Sequence, residues 1–163
     1  SENTISITSN GKTWGSYEAP LPNSESNKLF KFRNGQLLLT NFGVFYDNGT
    51  LLEESYNLQL LSVLGVDSSG SENSAVRAND AGSVVEIAED GTVLQSELFI
   101  AISDGSYSLS TSSLDDFTHY TNSGFSSIHK VMRFQERWLV FSFDNFKFID
   151  DTNTYRLSTG LRI

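Results

Sequence analysis

"FSFDNFKFIDDTNTYRLST", residues 141–159, alternates aromatic and polar side chains, breaks at Asp144-Asn145, alternates again, and breaks at a second polar cluster ending in Thr154. Period-two alternation sends successive side chains to opposite faces of an extended chain, and Asn or Asp accept the dihedrals of a tight reversal. The phrase therefore reads as strands separated by turns. It recurs as "QLLLTNFGVFYDNGTLLEES" from Gln36, "SAVRANDAGSVVEIAEDGTVLQSE" from Ser74 and "LFIAISDGSYSLSTSSLDDFTHYT" from Leu98, with turn threonines at Thr50, Thr92 and Thr118. "DNGT" and "EDGT" are hairpin signals, because Asn-Gly and Asp-Gly supply the positive φ that matches strand twist.

A further strand precedes three of these units: "KLFKF" from Lys28, "LQLLSVLG" from Leu58 and "HKVMRF" from His129. Four strands in a meander make the unit of a propeller blade. The short step from Thr92 to Thr118 predicts one blade that lacks a strand. No stretch sustains the 3.6-residue period of a helix. The predicted fold is all-β: a small β-propeller of about five short antiparallel blades. It forms a single domain over residues 1–163, in which the C-terminal strand "LRI" completes the blade opened by "TISITSNGKTWGSYE". A shared blade of this kind leaves no unpaired edge. A four-bladed ring, an open stack of sheets and a β-sandwich are the alternatives.

Composition narrows the function classes. Eleven basic and twenty acidic residues give a net charge of −9, a field that repels nucleic acid. With no cysteine there is no disulfide framework, thiol nucleophile or cysteine zinc site. No run approaches the ~20 apolar residues that span a bilayer, so membrane insertion is not expected. The chain starts at Ser1 without a leader, which reads as a processed chain or a domain excised from a longer protein that could supply oligomer contacts.

"TSNGKTW", Thr8 to Trp14, resembles the Asp-box, the S/T-x-D-x-G-x-T-W hairpin of sialidase-like propellers, with Ser9 where the Asp would stand. "STSSLDDFTHY", Ser110 to Tyr120, is similar to a looser copy. The resemblance implies a structural box whose polar residues tie the turn and whose aromatic, Trp14, is buried. Propellers with such degenerate boxes occur in phage and virus spike proteins as receptor-binding heads, and the resemblance implies a comparable setting.

The sialidase chemistry of that family needs three convergent arginines, and Arg33, Arg77, Arg133, Arg137, Arg156 and Arg162 show no matching motif. They read as structural ion pairs and solvated charges. The doublets Asp115-Asp116 and Asp150-Asp151 are the paired carboxylates a glycosidase would use, yet both sit where Asp caps its own turn. His119 and His129 lack ligand spacing, and no nucleophile elbow accompanies any serine.

Asn41, Asp80, Asp104 and Asp144 occupy the first turn of each unit, so in a ring their oxygens share one rim, where they could hold Ca²⁺. "DSSGSEN", Asp67 to Asn73, reads as a polar loop and is the other candidate for Ca²⁺. Phe42, Tyr56, Tyr120 and Phe125 lie near turns or blade connections, where exposed rings would stack on a sugar. The expectation is a non-enzymatic, Ca²⁺-stabilised head that binds a cell-surface glycan or receptor, on a virion spike or a secreted adhesin. Its location would be extracellular or on a virion surface. A sialidase-like glycoside hydrolase and a structural protein-interaction propeller are the competing readings.

Overall fold

A computed structural model describes residues 4–7, 10–18, 26–33, 35–40, 43–47, 58–66, 76–111, 114 and 116–156. All regular structure in it is β. A hairpin pairs β1 (Thr4–Ile7) with β2 (Gly15–Glu18). The first four-stranded sheet holds β3 (Ser26–Phe32), β4 (Gly35–Thr40), β5 (Gly43–Asp47) and β6 (Leu58–Leu61). The second holds β7 (Ala78–Ile87), β8 (Val93–Ile102), β9 (Tyr107–Ser110) and β10 (Thr118–Tyr120). The third holds β11 (Lys130–Phe134), β12 (Arg137–Ser142), β13 (Asn145–Phe148) and β14 (Tyr155–Arg156). Each sheet is an antiparallel meander in chain order.

The middle sheet is packed on both faces. The run "LFIAI" on β8 sends Leu98, Ile100 and Ile102 into a core shared with Leu37, Leu39, Val44 and Leu61 of the first sheet. Phe99 and Ala101, between them, enter a second core with Val131, Trp138 and Val140 of the third. A strand buried on both sides shows continuous apolar sequence in place of alternation. Burying each such side chain contributes about 1.5–3 kcal/mol, so β8 anchors both interfaces. Gly82 makes room for this packing: a Cβ there would lie 2.6 Å from the Trp138 ring.

First strands stand side by side, β3 against β7 and β7 against β11. Asp80, on β7, joins all three. Its carboxylate accepts from Lys28 Nζ on β3 and, at 2.9 Å, from the backbone N–H of Val131 on β11. Next to it, the Asn79 amide donates to the Ile128 carbonyl at 2.9 Å.

These bonds correct the expected segmentation. "NDAG" is not a turn, because β7 runs through it with a bulge at Asn79, and the polar atoms that suggested a reversal bind outside their own sheet, to the Ile128 carbonyl and to β3 and β11. The units read from Ser74 and Leu98 are consequently one sheet. Thr92 follows its first hairpin turn and Thr118 lies on its last strand, so this sheet is not short of a strand. The strand at Leu58 ends the first sheet where it was read as opening the next. In place of about five blades, the described residues give three four-stranded sheets and one hairpin. Residues 161–163, the expected closing strand, lie outside the described residues.

Gly105, in the β8–β9 turn, has φ +84, and a Cβ there would fall 1.8 Å from the Phe125 carbonyl oxygen. Gly91 has nearly the same φ, +85, with open space around it. Gly105→Ala is expected to cost about 3 kcal/mol, combining left-handed strain with a forced backbone shift, while Gly91→Ala pays the strain alone, about 1–2 kcal/mol. Urea titration of both variants checks this, and equal midpoints would show that the Phe125 loop moves aside freely.

Candidate ligand site between the second and third sheets

The face of the second sheet that meets the third carries a ladder of rings. Register places Ala101, Tyr107 and Tyr120 in one row across β8, β9 and β10, with Phe99 one step along. Phe99 and Tyr107 stack at 4.9 Å with planes 4° apart, and Tyr107 and Tyr120 at 4.8 Å and 9°. Trp138 tilts against Phe99 from the third sheet at 5.2 Å. The ladder runs from full burial at Phe99 to 41% exposure at Tyr120, so its outer ring is a rigid, backed aromatic surface. Burial first, and then the neighbouring Tyr120 and Asp150, push the Tyr107 phenol above its ordinary pKa.

Beside the ladder, the loop after β13 carries Asp150 and Asp151, and both carboxylates accept from Arg137 Nη2 at 2.7 Å. The guanidinium also lies 4.0 Å from the centre of the Phe148 ring. Its hydrogen bonds hold the Asp150 carboxyl below the usual carboxylate range. This doublet is thus an ion-pair anchor for Arg137, where the sequence reading has each Asp capping its own turn. Arg33 donates to Ser96 Oγ, Arg133 faces Glu97 at 3.8 Å, and Arg156 donates to Asp144 at 2.9 Å. These arginines are satisfied separately, Arg33 and Arg133 by adjacent residues of β8 and Arg156 by the β12–β13 turn.

On the third sheet, Lys147 of β13 pairs in register with Val140, whose side chain is in the core facing the second sheet. Lys147 therefore points inward and is only 7% exposed. Its Nζ sits under Gly124, 3.3 Å from where a Cβ at that glycine would be. The opposite face of the sheet carries Met132, Phe134, Phe141, Phe146, Phe148 and Tyr155, with Phe141, Phe146 and Tyr155 aligned in one row. These rings pair with one another, Phe141 with Phe146 at 6.0 Å and Phe146 with Tyr155 at 5.7 Å.

Of the residues expected to bind a ligand, Tyr120 stands in the ladder. Phe125 instead packs its ring, partly buried, against the Phe99–Trp138 core, because its backbone is clamped over Gly105. Phe42 and Tyr56 lie outside the described residues, as do Asn41 and the Asp67–Asn73 loop. Asp104 and Asp144 occupy equivalent turns of the second and third sheets, whereas Asp80 is within a strand, which removes it from the shared rim. Asp104 Oδ1 accepts from the Ser106 N–H at 2.9 Å, Asp144 holds Arg156, and Asp80 holds Lys28 and Val131. Among the described residues no three acidic or histidine side chains come together to hold a metal ion.

Asn10 Oδ1 accepts from the N–H groups of Lys12 and Thr13, both at 2.8 Å, so the box-like turn is tied by the residue after Ser9. Trp14 is 61% exposed, contrary to the expected burial: the turn closes through Asn10 without placing the ring in a core.

His119 Nδ1 lies 3.1 Å from Ser108 Oγ, a contact that resembles a nucleophile with its base. Ser108 is fully buried and donates its proton to the Leu64 carbonyl. The imidazole N–H must then donate to Ser108, the reverse of general-base activation. The pair pins the loop after β6. A cleft of about 420 Å³ lined by Val84, Glu86, Arg133 and Glu136 opens between β7 and β11.

Sequence reading passed over Tyr107 and Lys147. Tyr107 could have been found from its pairing with Tyr120 across the β9–β10 hairpin, whereas Lys147 carries no sequence signal beyond its place between two phenylalanines. Comparison of the chain with protein-family models, with curated proteins and with solved structures finds no match.

Proposed function

We propose that the chain is a non-enzymatic binding module built on the plan of a small propeller, and that its ligand is a glycan of a cell surface or receptor. The adjoining first strands of three successive meanders and the Asp80 bond across them support the propeller plan, since radial blades meet along those strands. The single observation that carries the binding reading is the backed ring of Tyr120. An aromatic surface held rigid by Tyr107 and Phe99 offers a sugar face a stacking partner with little side-chain entropy left to lose. The host-attachment setting, outside a cell or on a virion, rests on the box resemblance alone.

A glycan array run with Ca²⁺ and again with chelator tests the reading. Binding to one sugar class is expected, abolished by Tyr120→Ala in a variant that stays folded. A blank array in both conditions overturns it, and a signal lost only with chelator assigns the ion a part. The hydrolase alternative would place its two carboxylates at Glu86 and Glu136, which line the cleft between β7 and β11. Turnover of a chromogenic glycoside, abolished by Glu136→Gln, would replace binding with catalysis.

A further inference from the structure

Lys147 runs its stem inward and brings its ammonium back to solvent under Gly124, with no acid among the described residues to meet it. No carboxylate among the described residues lies within ion-pair distance of its Nζ, although the side chain is only 7% exposed. The oxygens of the loop above it are engaged locally. Asn122 Oδ1 accepts from the Gly124 N–H at 2.9 Å, while Ser123 Oγ donates to the Gly105 carbonyl and accepts from the Phe125 N–H at 3.2 Å. Asp150, the acid whose charge reaches Tyr107, is bound to Arg137. A lysine whose stem is packed while its ammonium keeps contact with solvent holds its charge in one place, open to an anion from outside.

The cover over the ammonium is a glycine. Gly124 is exposed at φ +84, and the space a Cβ would occupy lies 3.3 Å from Nζ, so the missing side chain leaves the charge approachable from solvent. Four residues before it, Tyr120 presents its half-exposed ring. We infer that this site takes a carboxylate-bearing sugar of the uronic-acid class, with the ring on Tyr120 and the carboxylate on Lys147. The inference rests on the glycan reading and deepens it. A net charge of −9 repels an acidic sugar at long range, so recognition must come from a local cation.

The test uses protein labelled with ¹³C at lysine Cε, in which the five lysines are few enough to assign through Lys147→Met. It is titrated with a glucuronate-terminated disaccharide, with its glucose-terminated counterpart, and with acetate. A saturable shift of the Lys147 signal with the glucuronate sugar is expected, together with at least about tenfold weaker binding of the glucose form, the loss of one charge-assisted contact. Lys147→Met is expected to lose the same preference while melting no lower than the parent, because Met keeps the packed apolar stem. Should Met disturb the packing, Lys147→Gln and the parent's own shift decide the matter. Equal affinity for both sugars, or a Lys147 signal that stays still, overturns the acidic-sugar assignment and leaves neutral glycan binding standing. A signal moved by acetate alone, with a blank glycan array, keeps the anion site and removes the sugar.

Discussion

Asp80→Ala is expected to lower the unfolding free energy by about 2–3 kcal/mol, the cost of leaving the buried Val131 N–H without an acceptor and Lys28 without its acid. The figure stays below that of a fully buried ion pair, because Lys28 is 39% exposed and can turn its charge to water. Asp80→Asn keeps an oxygen for Val131 and gives up only the charge, so roughly half the loss is expected. Urea titrations should show lower midpoints at unchanged slope, the sign that stability has moved and compactness has not. A cycle with Lys28→Met should return a coupling of about 0.5–1 kcal/mol between β3 and β7. If Asp80→Ala unfolds within experimental error of the parent, the three first strands are not held by this carboxylate, and the propeller plan loses its central support.

Asp80 also explains how much of the fold could be read from the chain and where reading stopped. Alternation and the "DNGT" and "EDGT" turns were enough to give an all-β chain built of meanders, and Asp90 closes its turn as that chemistry requires, accepting from Thr92 at 2.9 Å. The boundaries failed where polar residues inside strands serve another sheet. Asn79 and Asp80 imitate a reversal, but Asn79 reaches the Ile128 carbonyl ahead of the third sheet, and Asp80 reaches the third sheet and the first. Gln95-Ser96-Glu97 imitate a loop inside β8, although Ser96 receives Arg33 and Glu97 receives the Trp138 indole N–H. Such contacts join residues distant in sequence, and local pattern carries no trace of them.

The candidate site divides in the same way. Tyr120 was legible as a ring next to a polar loop. Lys147 was not, since "FKF" suggests apolar rings inward and a lysine in water, and only the pairing with Val140 inverts the two faces. Phe143 shows the other side of this ambiguity: its place in the alternating run suggests a core ring, yet it is 54% exposed at a hairpin tip with φ 49.

Phe99→Ala is expected to have the largest effect of all, about 3–5 kcal/mol, because a fully buried ring is removed from a packed interface that can collapse only in part. Phe99→Leu should cost about 1–1.5 kcal/mol, as it keeps most of the volume and loses the stack. The ladder makes this more than a stability change. Phe99 is the ring on which Tyr107 rests, Tyr107 backs Tyr120, and Trp138 leans on Phe99 from the neighbouring sheet. The two tryptophans separate cleanly as reporters, since Trp138 is buried and Trp14 is in water. In folded Phe99→Ala, acrylamide should therefore reach a second tryptophan population that is shielded in the parent, and the Tyr120 surface should lose its rigid backing. Sugar affinity is then expected to fall in Phe99→Leu even under conditions where that variant is fully folded. Unchanged affinity there would mean that Tyr120 needs no ladder behind it, and the physical basis of the binding reading would have to be sought elsewhere on the molecule.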